Sequence, residues 1–189
     1  MDAESEPCVL VVDDEQAVAD AYALRLGTWY ATRVAYEGEA ALEAVDDDVD
    51  VMLLDRRMPG LSGDDVLAQL HESGARTRVI MVTAVDPHVD VLDLGFDDYL
   101  CKPVDRETLR DAIEFQLSVG DEDEQVREYL SLVATLSVLA AKKSSIELER
   151  EERYLDACER RDHLHETLAA SVSGLDDMVT QFETIGHTC

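Results

Sequence analysis

The sequence predicts an α/β protein: a five-stranded, parallel, doubly wound sheet with helices on both faces, followed by an α-helical hairpin or coiled coil. Three observations lead there. Between residues 8 and 118, short apolar runs alternate with stretches of helical periodicity, five times in the same order. Such alternation marks a parallel sheet whose strands are joined by helical crossovers. The clearest runs are continuously apolar rather than alternating, as strands covered on both faces require. Beyond Gly120-Asp121-Glu122-Asp123-Glu124 the runs vanish and only helical stripes remain. The chain therefore divides into residues 1–119 and 120–189, an ordinary domain and a smaller one.

Cys8-Val9-Leu10-Val11-Val12 is the first strand, and a helix follows over about Gln16 to Leu26. A weaker strand covers about Thr32 to Tyr36, with a short helix after Gly38. Val51-Met52-Leu53-Leu54 is the third strand. Pro59-Gly60 marks a loop, and Ser62 to Asp65 offer N-caps for a helix reaching about Ser73. Val79-Ile80-Met81-Val82 is the fourth strand. Asp86-Pro87 suits the N-cap and first position of a fourth helix, which Gly95 would end. A fifth strand covers about Asp98 to Cys101. The module's last helix runs from Asp105 to about Val119, with Leu109, Ala112, Ile113 and Leu117 at helical spacing.

The second module opens with a helix over about Glu124 to Lys143, on which Val126, Tyr129, Val133, Leu136 and Ala140 step by three and four. Lys142 and Lys143 fall in its last turn, where cations suit the helix dipole. Ser144 and Glu147 have capping-box spacing and would start a second long helix reaching Phe182. Gly174 lies inside it, at a cost of about 1 kcal/mol relative to Ala. A hairpin within one chain, or a coiled coil between two, would bury both stripes.

Asp and Glu number 43 against 16 Lys and Arg, a formal net charge of −27, and only three of the cations are lysines. Such a surface is expected of a protein working in high salt, where ions screen its self-repulsion. Acidity alone therefore does not exclude a nucleic-acid role. Arg150, Arg153, Arg160 and Arg161 lie among acids on one helix, as on a solvated, salt-bridged face, so DNA contact is the lesser expectation. No apolar run approaches the roughly 20 residues of a membrane span, and no secretory signal opens the chain, so a cytoplasmic protein is expected. Cys8, Cys101, Cys158 and Cys189 form no C-x-x-C pair and read as small buried hydrophobes in a reducing compartment.

In an open α/β sheet, ligands bind beyond the carboxyl ends of the strands. Standing there are Asp13-Asp14-Glu15, Asp55, Thr83-Ala84 and Lys102-Pro103. Three carboxylates gathered at one spot resist ionisation, and a hard, oxygen-seeking cation such as Mg²⁺ relieves the repulsion. A carboxylate beside Mg²⁺ can attack a phosphoryl group and form an acyl phosphate. Lys102 can pair with the phosphoryl as a point charge, and the Thr83 hydroxyl can donate to it. A phosphatase with an aspartyl nucleophile fits less well, because Asp13 and Asp14 are adjacent rather than spaced D-x-D. A dinucleotide site fails for want of G-x-G-x-x-G after the first strand.

Residues 8–118 resemble the receiver domain of two-component response regulators. The resemblance is carried by Val11-Val12-Asp13-Asp14-Glu15, Leu53-Leu54-Asp55-Arg56-Arg57-Met58-Pro59-Gly60, Val82-Thr83-Ala84 and Tyr99-Leu100-Cys101-Lys102-Pro103. Each is weak alone; together, in order and at the strand ends, they are specific. The resemblance implies a flavodoxin-like sheet of order 2-1-3-4-5 and a non-enzymatic protein. It implies Asp55 as phosphoacceptor for a histidine kinase, with Asp13, Asp14, Asp55 and the Arg57 backbone carbonyl holding Mg²⁺. Thr83 and Tyr99 would be a switch pair, Tyr99 turning inward once Thr83 is drawn to the phosphoryl, and Lys102-Pro103 would be a cis peptide. Arg57 and Val85, which would flank an attacking water, imply slow self-dephosphorylation. Residues 121–189 are similar to the HalX-type domain found behind receivers in halophilic archaea. That likeness implies an output through the helices, in transcription, with a homodimer formed through the receiver face or the C-terminal helices. The alternative is a receiver-like scaffold or dimerisation protein that works without phosphorylation; the intact acids, Thr83 and Lys102 argue against it.

Overall fold

The computed structural model describes residues 6–119 and 124–185; the expected boundary at 120–123 and Cys189 lie outside the described residues. Five strands, β1 (Cys8–Val12), β2 (Ala31–Ala35), β3 (Val51–Leu54), β4 (Arg78–Thr83) and β5 (Asp98–Cys101), form one sheet of order β2-β1-β3-β4-β5. Every pairing is parallel, with Val12 opposite Leu54, Leu54 opposite Met81 and Thr83 opposite Cys101. This register brings the carboxyl ends of β1 and β3 level and lets β4 and β5 run two residues further at the same edge of the sheet. β1, β3 and β4 are buried along their whole length, which is why they are apolar without alternation.

Four helices cover the sheet: α1 (Gln16–Leu26), α2 (Gly38–Ala44), α3 (Gly63–Ser73) and α4 (Arg106–Ser118). Ser62 and Asp65 close a capping box on α3, and Asp105 accepts from the Glu107 and Thr108 N–H groups to start α4. The helix expected after Asp86-Pro87 does not form. Only a 3₁₀ segment stands there, Val89–Asp93, with His88 as its N-cap. Its sequence is Val-Asp-Val-Leu-Asp, four of whose five residues are poor helix formers, and its aspartates are drawn to cations on other elements.

The second module is α5 (Glu124–Lys142), α6 (Ser145–Leu148), α7 (Glu152–Ala169) and α8 (Leu175–Thr184). The single long helix expected after Ser144 is thus three pieces. The Ser144–Glu147 capping box exists but starts one turn only, and Gly174, at φ 83°, turns the chain between α7 and α8. α5 and α7 pair as a hairpin within the chain, and α8 packs against both. α5 buries more than its predicted stripe: Leu130, Ala134, Val138 and Leu139 are buried beside Val126, Tyr129, Val133 and Leu136, whereas Ala140 is exposed. It is covered on a second side because it also lies along β5 and the 3₁₀ segment.

That contact fuses the two modules. The Arg127 guanidinium of α5 forks onto buried Asp97 at 3.0 and 3.1 Å, and Arg78 reaches the same carboxylate at 3.3 Å. The Ser131 hydroxyl donates to the Phe96 carbonyl at 2.6 Å. Phe115 of α4 and Phe182 of α8 pack with ring centroids 4.9 Å apart, so one apolar core runs through both modules. Cys8 is a buried thiol and Cys158 a partly exposed one; Cys101 is disulfide-bonded, which corrects its reading as a thiol. No helix of the described residues is long and apolar enough to cross a membrane.

Candidate functional site

The strand ends converge. Asp13, one residue beyond β1, is 2% exposed; Asp55, one beyond β3, is 7% exposed. Each is fixed through its backbone, the Asp13 N–H donating to the Ala35 carbonyl and the Asp55 N–H to the Val12 carbonyl. Lys102, just past β5, donates from Nζ to Asp13 Oδ2 at 2.6 Å and to Asp55 Oδ1 at 2.7 Å. The Arg57 N–H donates to Asp55 Oδ2 at 2.7 Å. Asp14 and the Arg57 side chain are exposed at the rim. The peptide between Lys102 and Pro103 is cis. A cleft of about 700 Å³ opens over Asp55, lined also by Asp14, Arg57, Thr83 and Lys102.

One ammonium therefore serves two buried carboxylates, leaving the group with an excess negative charge. Burial pushes the Asp55 carboxyl above the usual carboxylate range, and the Lys102 ammonium only partly opposes this. At Lys102 burial works against the charge, but hydrogen bonds and attraction from Asp13 and Asp55 win and raise its pKa. Among the described residues, no three acidic, His or Cys side chains are gathered closely enough to hold a metal as they stand. The donor chemistry nevertheless fits a hard cation: hard carboxylate oxygens and a charge that one lysine does not balance.

Thr83 ends β4 and is buried, and its Oγ1 accepts from the Val85 N–H at 3.3 Å. The Tyr99 ring is fully buried, and its hydroxyl donates to the Val85 carbonyl at 2.7 Å. Burial pushes this phenol up to about 12. Tyr99 thus stands inward, the setting expected from the sequence after phosphorylation. Sequence reasoning passed over Arg56. Its guanidinium is buried, binds Asp64 of α3 at 3.0 and 3.1 Å, and pairs with Asp90 of the 3₁₀ segment. An arginine directly after Asp55, in a chain with so few cations, was the available signal.

The family model for the response regulator receiver domain matches residues 9–114. The chain belongs to the response-regulator receiver family. Behind the receiver, the HalX domain model matches residues 118–185. A proposed transcriptional regulator of Haloferax volcanii is 38% identical over 185 residues, covering 97% of this chain and 31% of that protein. The transcriptional regulatory protein CutR of Streptomyces coelicolor is 49% identical over 100 residues, covering 50% of this chain and 46% of CutR. The chain thus spans less than half the length of either relative. Among solved structures, the receiver domain of the Francisella response regulator 1452 matches with a TM-score of 0.53 and 31% identity, over 58% of this chain and 95% of that one. The receiver accounts for the sheet order and for the convergence of Asp13, Asp55, Thr83 and Lys102.

Proposed function

We propose that this response regulator accepts a phosphoryl group on Asp55 from a histidine kinase in the cytoplasm and passes the signal through its HalX helices to a transcriptional target. The observation that carries the reading is the Asp55 carboxylate, buried yet facing an open cleft, with Lys102 at 2.7 Å. An Asp55 oxygen attacks phosphorus, and the bond to the donor breaks with its electron pair leaving on the donor. Lys102 then pairs with the incoming phosphoryl oxygens, and the Thr83 hydroxyl donates to another. Mg²⁺, when bound, would supply neutralisation of the phosphoryl charge; Asp13, Asp14, Asp55 and the Arg57 backbone carbonyl would hold it. One phosphoryl is taken per acceptor, without turnover, so the protein acts as a switch and not an enzyme.

The core shared by the receiver and the helices also suits a second reading, a scaffold that works without phosphorylation. Intact mass after incubation with Mg²⁺ and acetyl phosphate, in high salt, separates the two. Wild type should gain one phosphoryl group and Asp55→Asn none. A folded wild type that gains nothing would favour the scaffold, and equal labelling of both would place the acceptor elsewhere.

A further inference from the structure

Cations are scarce in this chain, 16 Lys and Arg in all, and three of them converge on the ten residues from Val85 to Leu94. Lys142 of α5 holds Asp86 at 2.9 Å, Arg56 holds Asp90, and Arg153 of α7 holds Asp93. Arg56 reaches the segment from within the receiver; Lys142 and Arg153 reach it from the HalX helices. The same segment begins at Val85, whose N–H donates to Thr83 and whose carbonyl accepts from Tyr99. Arg56 directly follows Asp55, and the Asp64 and Asp90 carboxylates fix its guanidinium close to the Tyr99 phenol.

We propose that Arg56 is a positioning residue joining the acceptor loop to the Val85–Leu94 segment, and that the HalX helices, gripping this segment from outside, favour the same setting of Thr83 and Tyr99 as a phosphoryl group on Asp55. The proposal rests on the phosphoacceptor reading given above. Its physical basis is twofold. First, Tyr99 is inward in the arrangement where α5 lies along β5, binds Phe96 and Asp97 just before it, and clasps Asp86. Second, a segment with few helical hydrogen bonds of its own takes its shape from what holds it, and here the holders come from both sides. Two influences that favour one conformer must strengthen each other reciprocally. The helices are thus not an autoinhibitory cap that phosphorylation throws off; docked helices and phosphoryl belong to the same state.

The test uses the full chain. Arg153 is 45% exposed in its side chain and lies outside the acceptor site, so Arg153→Asp should fold. It should be labelled by acetyl phosphate about two- to fivefold more slowly than wild type. Adding Asp93→Arg to that variant, which re-forms the pair with reversed charges, should restore the rate. Hydrogen exchange supplies the reciprocal readout: phosphorylation should slow exchange of the α7 amides by a similar factor in wild type, and leave it unchanged in Arg56→Gln. Labelling of Arg153→Asp at the wild-type rate or faster, or faster α7 exchange on phosphorylation, would overturn the coupling while leaving Asp55 as acceptor. A wild type that takes no phosphoryl group overturns the acceptor reading, and the coupling with it.

Discussion

At Lys102 a single ammonium is the cation that Asp13 and Asp55 share, both nearly inaccessible to water. Replacing it by Ala leaves two buried carboxylates without their cation, so Lys102→Ala should lower stability by about 3 kcal/mol in urea unfolding. Asp55→Asn in the same chain should recover part of that loss, because the two groups are coupled. The Asp55 carboxyl is raised above its unfolded value, so the folded state binds that proton more tightly and its ionised form is a liability at neutral pH. Asp55→Asn alone should therefore raise the unfolding midpoint at pH 7, by an increment that shrinks as pH falls through the raised pKa. On the phosphoacceptor reading, labelling should fade over the same window, as the Asp55 carboxylate is protonated. Lys102 has the opposite bearing: its raised pKa gives stability that is complete below about 10.5 and is lost as pH climbs through the higher folded value.

Among the elements, the start of α3 positions Asp55 most tightly. A Cβ on Gly63 would stand 2.3 Å from the Asp55 carbonyl oxygen and 2.9 Å from the Arg56 Cα, both backbone atoms that cannot step aside. Gly63→Ala should cost about 1–3 kcal/mol in chemical denaturation and, on the phosphoacceptor reading, slow labelling of Asp55 through displacement of the Asp55–Arg56 backbone. The strands were legible in the sequence because a strand buried on both faces has to be apolar throughout, as Val51 to Leu54 is. Asp13, Asp55 and Lys102 were legible as groups at the ends of such runs. The 3₁₀ segment was not, because Asp86-Pro87 carries a local helix signal that the distant partners of Asp86, Asp90 and Asp93 override. Local sequence gives Gly174 only a propensity cost inside a helix; its positive φ makes it the turn itself. Arg56 escaped because nothing local shows that Asp64 and Asp90 fold onto it.

On the scale of the whole molecule, the receiver and the helices share one apolar core, with Phe115 and Phe182 each 1% exposed where they meet. Phe182→Ala should cost about 3–5 kcal/mol, and both wild type and variant should melt in one transition rather than two, by calorimetry. Two separate transitions would mean that the helices only rest on the receiver. The scarcity of lysine has a practical consequence as well. Of three side-chain amines, Lys102 is shielded and held protonated by two carboxylates, Lys142 is clasped to Asp86, and Lys143 follows it at the end of α5. An acylating reagent attacks only the neutral, accessible amine. Reaction at Lys102 would register access to the Asp55 cleft, and the yield at Lys142 relative to its neighbour Lys143 would register whether the helices are holding the receiver. A single digest of the labelled chain would then report on the Asp55 cleft and on the docking of the helices at once.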